Sequence, residues 1–239
     1  MKIKIKGVIV SNEDKRIYDW FEMDATCPKD VETQIESAKD EDLEVIINSV
    51  GGDVHSGSEI YTILKEYKGN VTVKITGIAA SAASVIAMAG KKVIMSPTAQ
   101  LMIHKASILS WGNHKELERS VELLKSHDEG IANAYMLKTG MNKEELLNLM
   151  DAETYFSAKK AKELNFIDEI MFDDELKLSA SARGMLPPEV IDKVRNLIKT
   201  SDEPKGSFLI HKQEPQPVPV DLYKNKISLN ERRIKGYEL

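Results

Sequence analysis

The chain has 239 residues, of which 42% are hydrophobic and 30% charged, a balance typical of an ordinary globular protein. Its net charge of −5 argues against a surface for nucleic acid or anionic membrane, and its single cysteine excludes a disulfide framework or a cysteine-rich metal site. No stretch reaches the roughly 20 apolar residues of a transmembrane helix, and the alternating start MKIKIKGVIV is not a signal peptide. We therefore expect a cytoplasmic protein that binds neither nucleic acid nor membrane.

Predicted strands and helices alternate from the start of the chain to residue 104. Apolar or alternating runs predict strands over residues 2–10, 43–48, 71–76, 92–96 and 100–104. Apolar residues at helical spacing, or a high alanine content, predict helices over residues 29–39, 56–67 and 78–90. The glycines of Gly51-Gly52 and Gly77 are predicted to end the strands that precede them. This alternation predicts an α/β fold of βαβ units with parallel strands.

The remainder of the chain is predicted to be mostly helical. A long helix is predicted over residues 113–138, with Leu117, Val121 and Leu124 among many charged residues. A small domain cannot cover so long a helix, so we expect part of it to pack on another subunit. Shorter helices are predicted over residues 142–150 and 157–164. A change in composition after residue 184, with the proline-rich stretch EPQPVPV, predicts that residues 185–239 form an appendage to the domain of residues 1–184.

Ser81 is the candidate nucleophile, because it falls between a predicted strand and a predicted helix. A serine hydroxyl attacks a carbonyl only when a base removes its proton, and backbone N–H groups at a helix start can stabilise the oxyanion that results. Taken alone, Ser81 fits a helix cap better than a nucleophile. Ser84 is a competing serine, but its place inside the helix favours capping or packing. The surrounding sequence is not GxSxG, which argues against an α/β-hydrolase.

Two further local features could assist a serine nucleophile. Gly51-Gly52 follows an apolar strand, and consecutive glycines can expose backbone N–H groups to a developing oxyanion, although taken alone the pair fits a plain turn better. His104 ends the apolar strand LMIH and is the candidate general base. The other histidines, on polar, helical or tail segments, are predicted to be solvated: His55, His114, His127 and His211.

A carboxylate should orient the imidazole of His104, and the spacing in the sequence does not choose between Asp151 and Glu153.

Four segments together resemble the ClpP family, the proteolytic subunits of the Clp protease. They are INSVGGDVHSG, GIAASAAS, LMIH and ETYFSAKKAKELNFIDEI, in the family's order, and they cover roughly residues 43–170. The resemblance implies a ClpP/crotonase-like spiral of ββα units with a protruding long helix, the handle, and a C-terminal appendage. It also implies a serine endopeptidase that needs no metal or organic cofactor.

The resemblance implies specific roles for residues in these segments. Ser81 would be the nucleophile, His104 the base and Glu153 the triad acid, with Asp151 as the alternative. The oxyanion hole would be formed by the N–H groups of Gly52 and Ala82, with Gly51 shaping the loop. The family usually has proline where this chain has Val50, and aspartate where it has Glu153.

The resemblance also implies partners. Clp-type subunits form seven-fold rings that stack as a tetradecamer and act on proteins or peptides. The start of this chain lacks the family's usual opening segment, so an unfoldase partner is not expected. The altered start, the ETYFSA variant and the appendage are more similar to enzymes of phages and prophages, which implies capsid or scaffold maturation inside a prohead.

Other functions fit parts of the same pattern. The chain could be a general cytoplasmic protease subunit of the ClpP kind. It could also be a non-catalytic ring or scaffold subunit, which retention of both Ser81 and His104 argues against. A crotonase-type acyl-CoA enzyme would share the fold and a glycine oxyanion hole but would not need Ser81 and His104 together.

Overall fold

The computed structural model describes residues 1–39 and 41–173. The strands in this part are β1 (Lys2–Ile9), β2 (Ala25–Thr26), β3 (Leu43–Gly52), β4 (Val71–Ala80), β5 (Lys92–Met95), β6 (Gln100–Ile103), β7 (Thr154–Ser157) and β8 (Glu169–Ile170). The helices are α1 (Lys15–Trp20), α2 (Pro28–Glu36), α3 (Val54–Glu66), α4 (Ala82–Ala87), α5 (His114–Thr139), α6 (Lys143–Asp151) and α7 (Ala158–Glu163). The predicted appendage, residues 185–239, lies outside the described residues.

The strands form one sheet in the order β2-β1-β3-β4-β5-β8. Every neighbouring pair along this path is parallel, as the alternation of strands and helices predicted. Two strands lie off this path: β6 runs parallel to the end of β4, and β7 runs antiparallel to β6. The first half of β4 therefore pairs with β5 and its last three residues pair with β6. This change of partner brings the end of β6 beside the end of β4.

The core lies between the central strands and the helices packed on them. Alternate β-branched residues of β3 and β4 are fully buried, as expected for strands inside a sheet: Val45, Ile47, Val73 and Ile75. All six residues of α4 are buried too. A Cβ added to Gly57 of α3 would lie 2.8 Å from the Cβ of Ala82, so α3 and α4 pack with almost no space between them. The small side chains of α4 allow this approach.

The two central strands are longer than their sequences predicted. Gly51-Gly52 and Gly77 stay within β3 and β4, and residues 78–80, predicted to be helical, are the end of β4. The β3–β4 register shifts between Ile47 and Ser49. At this irregularity the side-chain oxygen of Asn48 accepts the N–H of Ile78 at 3.2 Å, and a Cβ on Gly77 would collide with it. The glycine thus accommodates a bulge and does not end the strand.

The long predicted helix is present as α5, with 26 residues from His114 to Thr139. Asn113 caps it by accepting the N–H groups of Lys115 and Glu116, and the Glu116 side chain accepts the N–H of Asn113 in return. Gly140 ends it in the left-handed conformation with a φ of 74°. In the described part of the chain, neither this charged helix nor any other has the length and apolar content to cross a membrane.

Candidate active site

Ser81 is the residue between β4 and α4, and its backbone is unusual. Its φ is 54° and its ψ is −127°, values that non-glycine residues rarely adopt. The Ser81 N–H donates to the carbonyl oxygen of Met102 in β6 at 3.1 Å, so the neighbouring strand holds the turn. The tight strand-to-helix turn leaves Ser81 partly exposed while the residues on both sides of it are buried.

Ser84 supports this turn, as its place inside the helix indicated. Its side chain is fully buried, and its hydroxyl donates to the Ser81 carbonyl oxygen at 2.6 Å. The same hydroxyl oxygen lies 2.7 Å from the hydroxyl of Tyr135 in α5. Complete burial raises the pKa of Tyr135 well above its usual value, which keeps the phenol protonated as a donor. Ser84 is therefore a packing and hydrogen-bonding residue, and it is not available as a nucleophile.

His104 follows β6 and contacts Ser81 directly. Its Nε2 lies 2.7 Å from the Ser81 Oγ, within hydrogen-bond distance. The loop after His104 is held to α5, because the N–H of Ala106 donates to the carboxylate of Asp128 at 2.8 Å. Asp128 is buried and charged, but nothing in the sequence distinguished it from the other acidic residues of the predicted helix.

Gly51 and Gly52 lie next to Ser81, and both have positive φ, 88° and 149°. A Cβ on Gly51 would lie 2.7 Å from the Cβ of Ser81 and 2.9 Å from the nitrogen of Ala82. Close approach to the serine turn therefore requires glycine at position 51. The buried Ser49 hydroxyl accepts the Gly51 N–H at 3.1 Å and donates to the Gly7 carbonyl oxygen at 2.6 Å. This pair of hydrogen bonds fixes the loop beside the exposed Val50.

The two candidate acids occupy different positions. Asp151 ends α6, and its carboxylate accepts from Lys105 Nζ at 2.6 Å. Glu153 directly precedes β7, whose register with β6 ends at the pair Ile103 and Thr154. His104 directly follows Ile103 and Glu153 directly precedes Thr154, so both lie just beyond the end of this pairing. Among the described residues, neither carboxylate makes a hydrogen bond or ion pair with His104 in this structure.

A cavity of about 350 Å³ opens beside Ser81 and His104. Gly52 and Ala82 line it from the serine side, and α3 and α5 form the remaining walls. His55 and His127, which the sequence predicted to be solvated, line this cavity with their ring centroids 5.0 Å apart. The exposed His55 and the partly exposed His127 agree with the predicted solvation, and the structure adds that both rings belong to the wall of this cavity. Within the described ranges no group of three or more His, Cys, Asp or Glu side chains could hold a metal ion.

Asp53 caps α3 at the edge of the cavity. Its carboxylate accepts the N–H of Ser56 at 2.8 Å and the hydroxyl of Ser56 at 2.6 Å. Burial opposes ionisation of this carboxyl, but the Ser56 hydrogen bonds and the nearby His55 outweigh it and lower its pKa. The ionised cap fixes the start of α3, and with it the position of His55.

The arrangement joins a hydroxyl, a base and glycine-lined backbone at one end of a cavity. A serine hydroxyl 2.7 Å from an imidazole nitrogen can transfer its proton as it attacks a carbonyl. Ala82 begins α4, so its N–H has no acceptor within that helix. These are the components of acyl-transfer chemistry through a covalent intermediate.

Comparison with known proteins agrees with this chemistry. The family model described as Clp protease matches residues 28–174. The chain is 31% identical over 135 residues to the ATP-dependent Clp protease proteolytic subunit of Deinococcus radiodurans, covering 55% of this chain and 66% of the relative. It is 32% identical over 132 residues to the ATP-dependent Clp protease proteolytic subunit 1 of Chlamydia abortus, covering 53% and 68%. The chain thus spans about two thirds of the length of these relatives.

A solved structure of a ClpP1 mutant from Listeria monocytogenes is similar to the chain, with a TM-score of 0.59 and 25% sequence identity. The similarity covers 71% of this chain and 90% of that one, and it confirms the fold that the four sequence segments implied. The chain therefore belongs to the Clp protease family and is a serine-type peptidase of the ClpP kind.

Proposed function

We propose that the chain is an endopeptidase in which Ser81 forms an acyl-enzyme with the substrate. Ser81 Oγ attacks the scissile carbonyl carbon while His104 takes the hydroxyl proton. His104 returns that proton to the leaving amine as the peptide bond breaks, and water, deprotonated by His104, then releases the acyl group. The observation that best supports this proposal is the 2.7 Å separation of Ser81 Oγ and His104 Nε2 at the end of a cavity.

Gly52 and Ala82 are the proposed oxyanion-hole residues. Both line the cavity on the side of Ser81. Two backbone N–H groups aimed at the developing oxyanion stabilise it without rearrangement during the reaction. The positive φ of Gly51 and Gly52 supports this role, because it lets the main chain pass close to the reacting carbonyl.

Glu153 is the proposed third member of the triad. The β6–β7 pairing ends one residue short of His104 and Glu153, at Ile103 and Thr154, which supports their proximity. Asp151, by contrast, is already engaged by Lys105. A carboxylate at Glu153 would accept a hydrogen bond from His104 Nδ1 once the side chain turns toward it. It would then fix the tautomer in which Nε2 can accept the serine proton.

Peptide hydrolysis tests this proposal. The full chain should cleave a mixture of unstructured peptides, and Ser81→Ala and His104→Ala should each abolish that cleavage while their circular dichroism spectra match the wild type. Unchanged cleavage by the Ser81→Ala variant would refute the proposal. Ser84→Ala is the matched control: it removes a hydrogen bond that supports the turn but keeps the nucleophile, so it should lower cleavage without abolishing it.

Assembly into a ring of identical subunits is also proposed, with two stacked heptamers as the expected form. The outer half of α5 supports an intersubunit contact, because its apolar side chains Leu117, Val121 and Leu123 are 42%, 48% and 49% exposed. Light scattering of the wild type and of the variant Leu117→Asp/Val121→Asp measures the mass. A large species that the double substitution splits supports the proposal, and a monomeric wild type contradicts it.

We propose that the protein substrate is a capsid or scaffold precursor, which the enzyme cleaves inside a prohead. The ETYFSA variant at residues 153–158 and the proline-rich stretch in residues 185–239 support this substrate. The names of the relatives favour a second setting, a proteolytic subunit that works with an ATPase. Incubation with a capsid precursor, or with an unfolded protein plus a Clp ATPase and ATP, separates the two. Capsid cleavage without ATP supports the first setting, and strictly ATP-dependent degradation supports the second.

A further inference from the structure

Two histidines from different helices meet in the cavity beside the catalytic pair. His55 lies in the first turn of α3 and His127 in the middle of α5. Their rings are in edge contact, with centroids 5.0 Å apart and an angle of 75° between the ring planes. Both side chains line the same cavity as Ser81 and His104, and the proposed mechanism uses neither.

The cavity is lined by basic side chains and by no carboxylate among the described residues. The side chains that can carry a positive charge are His55, His104, Lys105 and His127. Two carboxylates near these histidines in sequence already accept hydrogen bonds. Asp53 accepts from Ser56, and Asp128 accepts from Ala106 at 2.8 Å. Lys105 is paired with Asp151 at the outer edge. The cavity lining itself therefore offers donors and no carboxylate, while Asp53, which acts electrostatically on His55, and Asp151, which pairs with Lys105, lie outside it.

The rest of the lining is mixed, with apolar side chains such as Val54, Val85 and Leu137 beside groups that form hydrogen bonds. Hydroxyl and amide groups lie on both helical walls, from Ser58 and Thr62 on α3 and from Ser126 and Asn133 on α5. An aliphatic side chain in this space would remove water from the imidazole N–H groups without replacing its hydrogen bonds. A carboxylate would replace them with charge-assisted ones.

We propose that this cavity selects an acidic side chain, glutamate or aspartate, on the residue that supplies the scissile carbonyl, with His55 and His127 as the specificity-determining residues. The proposal rests on the proposed endopeptidase function, because the cavity becomes a side-chain subsite only if Ser81 attacks a peptide carbonyl beside it. Each imidazole carries at least one N–H, so the two adjacent rings together can supply two donors to the two oxygens of a carboxylate.

The test uses the full chain and a synthetic peptide mixture in which every residue type occurs at every position. Mass spectrometry of the products reports which residue precedes each cut. Two peptides that differ only in Glu or Leu at that place then give kcat/KM values. We expect the Glu peptide to be favoured by about tenfold or more, the discrimination expected when a site's polar groups would otherwise be left unpaired.

Variants assign the preference to the two histidines. His55→Leu/His127→Leu should remove or reverse the Glu preference, and the single variants His55→Asn and His127→Asn should each reduce it. His114→Leu is the matched control, since His114 is exposed at the start of α5 and does not line the cavity. It should leave the ratio unchanged.

Labelling with a small fluorophosphonate distinguishes failure of this proposal from failure of the endopeptidase function. Such a probe reacts with an activated serine and carries no acidic side chain. A labelled wild type that prefers Leu, or labelled histidine variants that keep the Glu preference, would show that the His55–His127 contact is structural only. A wild type that is neither labelled nor able to cleave would instead overturn the peptidase function itself.

Discussion

The hydroxyl of Tyr135 lies 2.7 Å from the hydroxyl of Ser84, which itself donates to the Ser81 carbonyl oxygen 2.6 Å away. Because Ser84 gives its only proton to Ser81, Tyr135 is the donor in the first contact. The chain of two hydrogen bonds connects the middle of α5 to the turn that carries the nucleophile. It makes Tyr135 a positioning residue for Ser81.

Removing the Tyr135 hydroxyl should therefore weaken the turn without removing any reacting group. In Tyr135→Phe the buried Ser84 oxygen loses its donor, at a cost of about 1 kcal/mol in the free energy of unfolding. We expect kcat to fall several-fold with little change in KM, measured with a fluorogenic peptide alongside urea unfolding. Tyr155→Phe is the control, since Tyr155 is 58% exposed. Equal effects of the two substitutions would contradict the positioning role.

Gly51→Ala should inactivate the protein. The new Cβ would lie 2.6 Å from the Ala80 carbonyl oxygen and 2.7 Å from the Cβ of Ser81, at a φ of 88°. Since a displacement of about 1 Å in an active site can cost on the order of 10²-fold, we expect at least that loss in kcat/KM. The matched control is Gly140→Ala, which has a φ of 74° but nothing within 4 Å of the added Cβ. It should cost about 1 kcal/mol of stability and leave activity intact. Full activity in Gly51→Ala would contradict the described contact.

The Asp53 cap predicts an acid limit to stability. Its pKa in the folded chain lies below the ordinary value of 3.8, so its contribution is complete above that value and is lost as the pH falls through the folded pKa. Asp53→Ala should lower the free energy of unfolding by about 1 kcal/mol at pH 7, whereas Asp53→Asn keeps a capping oxygen and should lose only the smaller part that depends on the charge. Urea unfolding at neutral and acidic pH measures this. The difference between Asp53→Ala and the wild type should shrink in acid, and a difference that grows would refute it.

Conservative substitution of the two candidate acids separates their roles. Glu153→Gln keeps the size of the side chain but cannot stabilise the imidazolium, so we expect kcat to fall by about 10²- to 10⁴-fold. Asp151→Asn should remove only the exposed pair with Lys105, worth under about 1 kcal/mol, and leave kcat nearly unchanged. Peptide hydrolysis by both variants decides between them. A large loss in Asp151→Asn with none in Glu153→Gln would reverse the assignment.

Secondary-structure elements whose residues follow a clear local hydrophobic period could be predicted from the sequence, and so could the motifs of the site. Periodicity located β1, α2, α3 and α5, and motif order placed Ser81, His104 and the glycine pair in one site. The end of β4 was misread as helix, because IAA has high helix propensity and only its partners Gln100–Met102, distant in the chain, make it a strand. The short β7 was missed for the same reason, since its pairing with β6 is what defines it.

Contacts between distant helices could not be predicted. Ser84 and Tyr135 are 51 positions apart, and nothing in either local sequence indicates the other. His55 and His127 likewise look solvated in isolation. Only the packing of α3 and α5 around one cavity shows that they face each other beside the nucleophile.

Covalent labelling of the nucleophile tests the central claim most directly. Intact-mass measurement after treatment with a small fluorophosphonate should show one adduct per chain, which peptide mapping places on Ser81. The adduct should be absent from Ser81→Ala, slow to form in His104→Ala, and present in Ser84→Ala. An adduct that persists in Ser81→Ala, or a folded wild type that forms none, would contradict the assignment of Ser81 as a nucleophile activated by His104.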